Sequence, residues 1–237
     1  MANKLRGVFH ISTLRCGLKS RHDGLVVKSS PICSFNTVYA FKGLIMPQVF
    51  NVRLIGERAL AATNDLFAEA GYGVRVQMMK AEDFEWCVAL ARQQPEERRI
   101  PWALNGAALD DPDGFTFSFK IQGIDDRPAG ACICRFCPAA GEQLAMLNIE
   151  MLQNFRIRDS SLDGNTLRFA LYVAVLFMVD TACAGLRLIS PINTELADYY
   201  INYHQFVDLT GGLKQILYRD AEALFLWFQE GFLPPAS

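Results

Sequence analysis

A lone carboxylate sits in the middle of an apolar run. In "LNIEML" (147–152), Glu150 is the only charged residue. Strand alternation puts Asn148, Glu150 and Leu152 on one face and Leu147, Ile149 and Met151 on the other. An ionised carboxylate is costly to bury unless something pairs or uses it. Glu150 is therefore a proton acceptor, a glutamate at a solvated strand edge, or the partner of an arginine such as Arg156. A second concentration of reactive groups lies in "SPINTELADYYINYHQF" (190–206), where Tyr199, Tyr200 and Tyr203 crowd one helix just after a short strand. A phenol hydroxyl both donates and accepts hydrogen bonds. Tyr199 and Tyr203, four apart on a neighbouring face, read as packing, which leaves Tyr200 as the candidate. "CICRFC" places Cys132, Cys134 and Cys137 close together, but no second cysteine pair or histidine cluster stands at ligand spacing. These are expected to be buried strand thiols, and no metal is expected. His10, His22 and His204 are isolated.

The elements that must position these groups follow from periodicity and punctuation. A helix is expected within 51–73, stopped by Gly71 and Gly73, followed by a strand at 74–79 and a helix at 81–93 with acids in its first turn. An interrupted helical stretch starts at Pro95. Strands are then expected at 115–122, 131–136 and within 141–157, joined as antiparallel neighbours. The apolar run "FALYVAVLFMV" lies in a helix over 165–182, too short to span a membrane. A strand at 185–192, the tyrosine helix, a hairpin over Gly211–Gly212 and an aromatic-rich helix at 221–232 complete the chain. A mixed, mostly antiparallel sheet with helices on both faces is the economical arrangement of that order.

Charge divides the chain unevenly. Residues 1–50 carry a balance of +6 and the remainder −8, within a net charge of −2. Residues 1–45 read as a basic, poorly ordered leader, and residues 46–237 as one domain. Seven cysteines without a pairing pattern indicate reduced thiols in the cytoplasm. The acidic balance of the domain argues against nucleic acid as a partner, and no membrane association is expected. Leu224 to Phe228 are apolar in succession, so the last helix must be covered, by the sheet or by a second copy in a homodimer.

The element order resembles the GNAT superfamily of N-acetyltransferases over roughly residues 73–218. The resemblance is carried by Asn193, Ala197 and Tyr200 in the tyrosine helix, and by a loop-to-helix turn at "SLDGNT" (161–166). It departs from the family where Ser161 replaces a basic residue, where Asp163 lies beside the phosphate position, and where Gln205 replaces a common glycine. The resemblance implies an α/β GNAT-like fold. It also implies acetyl-CoA as co-substrate, lying between the third long strand and the strand after the helix, and direct attack by the amine of a small molecule or protein. Glu150 is then the base and Tyr200 the acid that protonates the leaving thiolate. Leu152, Ser161, Gly164, Asn165, Thr166 and Asn193 then line the cofactor, with Gly164 letting the backbone approach the pyrophosphate. Arg98, Arg99, Trp86 and Trp102 are weaker candidates for an acceptor groove. Two alternatives stand beside this reading: a catalytically inactive binding or regulatory module, and a toxin-type acetyltransferase acting on aminoacyl-tRNA.

Overall fold

The computed structural model describes residues 51–104, 111, 113–123, 126–156, 162 and 164–232. The leader at 1–45, Ser161 and Asp163 lie outside the described residues. Helix α1 (Val52–Glu69) begins at Asn51, whose side chain accepts from the Leu54 N–H at 2.9 Å, and ends in a turn where Gly71 takes φ +71°. Strand β1 (Arg75–Met78) and helix α2 (Ala81–Arg92) follow, then two short 3-10 turns, Glu96–Arg98 and Trp102–Leu104. Pro95 and Pro101 remove backbone donors there, so the expected helical stretch breaks into single turns.

Strands β2 (Thr116–Gln122), β3 (Gly130–Cys137) and β4 (Met146–Asn154) form an antiparallel meander, with β1 on its outer edge. Helix α3 (Thr166–Thr181) then crosses back to β5 (Gly185–Ile189), which pairs with β4 in parallel. Helix α4 (Thr194–His204) leads to the hairpin β6 (Val207–Asp208) and β7 (Ile216–Asp220), and α5 (Ala221–Phe232) ends the described chain. The sheet order is β1-β2-β3-β4-β5-β7-β6. This is the mixed, mostly antiparallel sheet flanked by helices expected from the sequence.

The two sheet faces bury different amounts of apolar surface. The large cluster joins α1, α3, α4 and α5 to Phe117, Phe119, Cys132, Cys134, Leu147 and Leu186. Helix α3 is buried along most of its length by α1, the sheet and α5, with Val179 and Asp180 exposed near its end. On α5, Leu224 is fully buried, and the Trp227 ring stacks on Tyr172 at 5.3 Å. The helix is thus covered within the chain, and Leu226 is its large exposed apolar residue.

The smaller cluster lies under α2 and the second 3-10 turn, with Met79, Cys87, Trp102, Ile133, Met151 and Phe155. Strand β2 is buried at every position, so its polar face must be satisfied. Lys120 donates to Asp83 of α2 at 2.8 Å and to the Asp126 carbonyl at 3.0 Å. Asp83 also accepts the Lys80 N–H at 3.0 Å, capping α2. Cys87, sealed beside this pair, has its thiol pushed up to about 12, first by burial and then by Asp83. At the outer edge, the Asn64 side chain donates to the Val76 carbonyl and accepts its N–H, both at 2.8 Å, which occupies the β1 edge.

Breaking the Lys120–Asp83 pair leaves a buried charge without its partner. Lys120→Met is expected to lower unfolding free energy by about 3–5 kcal/mol. Adding Asp83→Leu should recover most of that loss in a urea titration, whereas strictly additive losses would mean that the pair does not hold α2.

Candidate active site

The site begins where two strands part. Pairing between β4 and β5 runs from Met146–Gly185 to Ile149–Leu188 and stops there. Strand β4 continues to Asn154, while β5 ends at Ile189 and the chain turns away through Ser190, in left-handed conformation at φ +47°, and Pro191. The β5-facing edge of β4 beyond Ile149 therefore has no strand partner.

A bulge lies at the same point. Cys134 pairs with Ile149 but Ile133 pairs with Met151, so Glu150 is the extra residue of β4. The bulge also resets the alternation. Leu147 and Ile149 belong to the large cluster, whereas Met151 belongs to the small one and Leu152 packs against the large one. The expected face of Asn148, Glu150 and Leu152 is therefore not one face. An inserted residue reverses the side to which every later side chain points.

Two connected cavities fill the gap. One of about 240 Å³ is bordered by Glu150, Met151, Leu188 and Pro191. The other, of about 380 Å³, extends past Asn154, Arg156, Gly164, Thr166 and Asn193. Ile100, Leu152, Ile192, Leu196 and Tyr200 line both. The structure thus brings together Glu150, Tyr200, Leu152, Gly164, Thr166 and Asn193. Asn165 occupies the cap position of α3 and does not line the cavity.

Glu150 is exposed toward the gap and makes no ion pair among the described residues. Arg156 lines the other cavity, so the alternative pairing with Arg156 does not form. Partial burial holds the Glu150 carboxyl above its ordinary value of 4.5, against the opposing pull of Arg135. Tyr200 is 9% exposed and packs on Phe206. Burial pushes its hydroxyl up, with Tyr199 and Cys132 adding to the shift, so it stays protonated at neutral pH. Asn193 accepts the Leu196 N–H at 2.8 Å and so fixes the start of α4. From the other end, Lys214 pairs with Asp198 and ties α4 to the β6–β7 hairpin.

Gly164 and the first turn of α3 suit an anion. Gly164 takes φ +75°, a Cβ built on it meets nothing within 4 Å, and the residue lines the larger cavity. No side chain caps the first turn of α3 from Asn165, and that turn holds no acid. Its N–H groups and dipole suit a negative group. The Thr166 hydroxyl donates to the Leu162 carbonyl at 3.2 Å, so it is spent locally. Arg98 and Arg156 supply positive charge in the same cavity, whose described lining includes one acid, Glu195.

Arg98, a weaker acceptor-groove candidate in the sequence, lines the larger cavity, as does Ile100, which escaped the sequence. Ile100 and Arg98 reach it because Gln153 donates to the Arg98 carbonyl at 3.2 Å, seating the 3-10 turn over β4. Tyr199 lines the larger cavity and is 39% exposed, Tyr203 is 75% exposed, and their rings pack on each other at the surface, 5.3 Å apart. Trp102, considered for an acceptor groove, is 1% exposed and bonded through its indole N–H to Gln153, so it supports the wall from below. Cys132 and Cys134 are buried with sulfurs 3.6 Å apart, as expected of strand thiols. No cluster of metal-ligating residues occurs among the described residues, and no described helix is long and apolar enough to cross a membrane.

No family model matches the chain, and no curated protein matches it. Among solved structures it is similar to a mutant of the toxin AtaT bound to the C-terminus of the antitoxin AtaR, at 13% identity and TM-score 0.48. The match covers 66% of this chain and 98% of that one. It is also similar to AtaT complexed with acetyl-methionyl-tRNAfMet, at 13% identity and TM-score 0.46, over 65% and 99% of the two chains. The KacTA–DNA complex gives 13% identity and TM-score 0.45, over 66% and 99%. Likenesses this distant carry no residue role to this chain.

Gly164→Ala is expected to cost about 1–2 kcal/mol through left-handed strain alone, since no protein atom obstructs the new methyl group. Thermal unfolding of the variant checks this; an unchanged midpoint would show that the loop relaxes to negative φ.

Proposed function

We propose that this chain is a divergent GNAT superfamily member, an N-acetyltransferase that moves an acetyl group from acetyl-CoA to a primary amine. The observation that carries the reading is the split between β4 and β5. Bulged at Glu150, it opens one channel connecting Glu150, Tyr200 and the N-terminus of α3.

Acetyl-CoA supplies an activated thioester, so no enzyme nucleophile is required. Gly164 and the first turn of α3 suit its pyrophosphate, with Arg98 and Arg156 adding charge. Leu152, Ile192 and Leu196 give the pantetheine arm apolar walls. Glu150 takes the proton released as the ammonium becomes a nucleophile. A backbone N–H on the unpaired edge of β4 donates to the developing oxyanion. Tyr200 donates its proton to the departing thiolate. The raised Glu150 carboxyl brings the base closer to neutrality, and the raised Tyr200 hydroxyl keeps the acid loaded.

The acceptor is a primary amine of a small molecule or protein. An aminoacyl-tRNA presents the same kind of amine and belongs in the same acceptor panel. The five described cysteines are free thiols, which supports a cytoplasmic location. With α5 covered by α3 and the sheet, a homodimer is not required to shield it.

Calorimetric titration with acetyl-CoA is expected to show binding that Gly164→Glu abolishes; no binding by the parent protein would overturn the reading. Given turnover, Glu150→Gln should lower kcat/KM roughly a hundred- to ten-thousand-fold. A raised carboxyl loses its basic form as pH falls through a midpoint above 4.5. The acid limb of the parent profile should therefore lie above that value and be absent from Glu150→Gln. Full turnover by Tyr200→Phe would remove Tyr200 from the role of acid.

A further inference from the structure

Beside the split, the open part of the sheet face carries a polar row. Register aligns Arg135 of β3, Asn148 of β4, Arg187 of β5 and Tyr218 of β7. All four point away from the large cluster, because Cys134, Phe136, Leu147, Ile149, Leu186, Leu188 and Leu217, their neighbours along the strands, belong to it. Glu150 stands two residues beyond Asn148 on β4, about 7 Å along the strand.

The charges in this row do not balance internally. Arg135 is matched by Asp113. The Tyr218 hydroxyl donates to the Ala184 carbonyl and lies within bonding distance of the Asp220 carboxylate, each at 3.3 Å. Arg187 forms no ion pair with any described residue, and its Nε is sealed from solvent without a hydrogen-bond partner. Directly across from it, Asn148 Oδ1 is likewise buried and unpartnered, while its Nδ2 donates to Cys137 Sγ at 3.4 Å. Buried polar atoms without partners are uncommon in native folds. Here a cationic donor and a neutral acceptor fall on register-paired residues beside the proposed base. A ligand cannot reach the two sealed atoms; what it meets is the remainder of the half-buried, unpaired Arg187 guanidinium, which suits an anionic group.

We infer that the amine acceptor carries a carboxylate or phosphate. Arg187 binds that anion through its terminal guanidinium nitrogens, while the ammonium lies toward Glu150. The inference rests on the acetyltransferase reading for the amine's fate, but not for its binding. Arg187 is thereby a specificity-determining residue, and a simple alkylamine is a poor acceptor.

Binding is measured without turnover, by NMR titration of the full chain with four probes: O-phosphoethanolamine against ethanolamine, and β-alanine against propylamine. At least tenfold tighter binding of one anionic member over its neutral partner is expected. The advantage should vanish in Arg187→Gln and survive in part in Arg187→Lys. Preference for the phosphate pair indicates a phosphorylated acceptor, and preference for the carboxylate pair an amino-acid-like one. Equal binding within both pairs, no binding of any probe, or an advantage that persists in Arg187→Gln overturns the inference. An acetyl-CoA titration on the same sample separates the two readings. Acetyl-CoA binding without an anion preference fails this inference alone, and an Arg187-dependent preference without acetyl-CoA binding fails the acetyltransferase reading alone.

Discussion

The end of hydrogen bonding between β4 and β5 after Ile149–Leu188 is the constraint on which the rest depends. A parallel pair that continued would bury its ladder and leave no room for a ligand. Stopping it exposes backbone groups of β4, and unpaired backbone is stable only where water or a bound group takes its place. The bulge at Glu150 falls at the same position, so the residue that interrupts the β3 ladder is also the one turned toward the opening. Gap, bulge and carboxylate arise from one local irregularity.

Holding that gap open takes support from both sides. Helix α3 is wedged into the large cluster, which fixes its N-terminus and with it Gly164. Helix α4 is fixed at its start by Asn193 and along its length by the Lys214–Asp198 pair. The hairpin that carries Lys214 is itself ordered by Asp208, which accepts N–H bonds from Thr210 at 2.8 Å, Gly212 at 2.6 Å and Lys214 at 3.2 Å. Those bonds, with the Thr210 hydroxyl as the largest contribution, hold its carboxyl down to about 2. Across the gap, Ile100 forms the facing wall because Trp102 and Gln153 lock the short turns onto β4.

The two faces of the sheet divide the work. One is filled by apolar side chains from four helices, and aromatic contacts such as Phe117–Phe177 at 4.7 Å fasten α3 to it. Among the described residues the other is covered by α2 and the turns, and the rest of it carries polar side chains, so a reactant meets Glu150 without crossing the main core.

Local pattern alone determined most of the elements. The apolar periodicity of α1 and α2, the apolar run of α3, the meander β2–β4 and the Gly211–Gly212 hairpin all follow from side-chain spacing and turn chemistry, which act over a few residues. Glu150 stood out for the same reason, as an acid where its neighbours are apolar. Tertiary structure decided the rest. Only strand pairing reveals that Glu150 is an inserted residue, so Leu152 sits on the opposite face from the one alternation assigns. Only packing sets Tyr199 on a cavity wall, buries Trp102 beneath it, and closes α5 against α3 within one chain. Ile100 and Arg187 carry no local signal, because their roles come from segments distant in sequence that meet across the sheet.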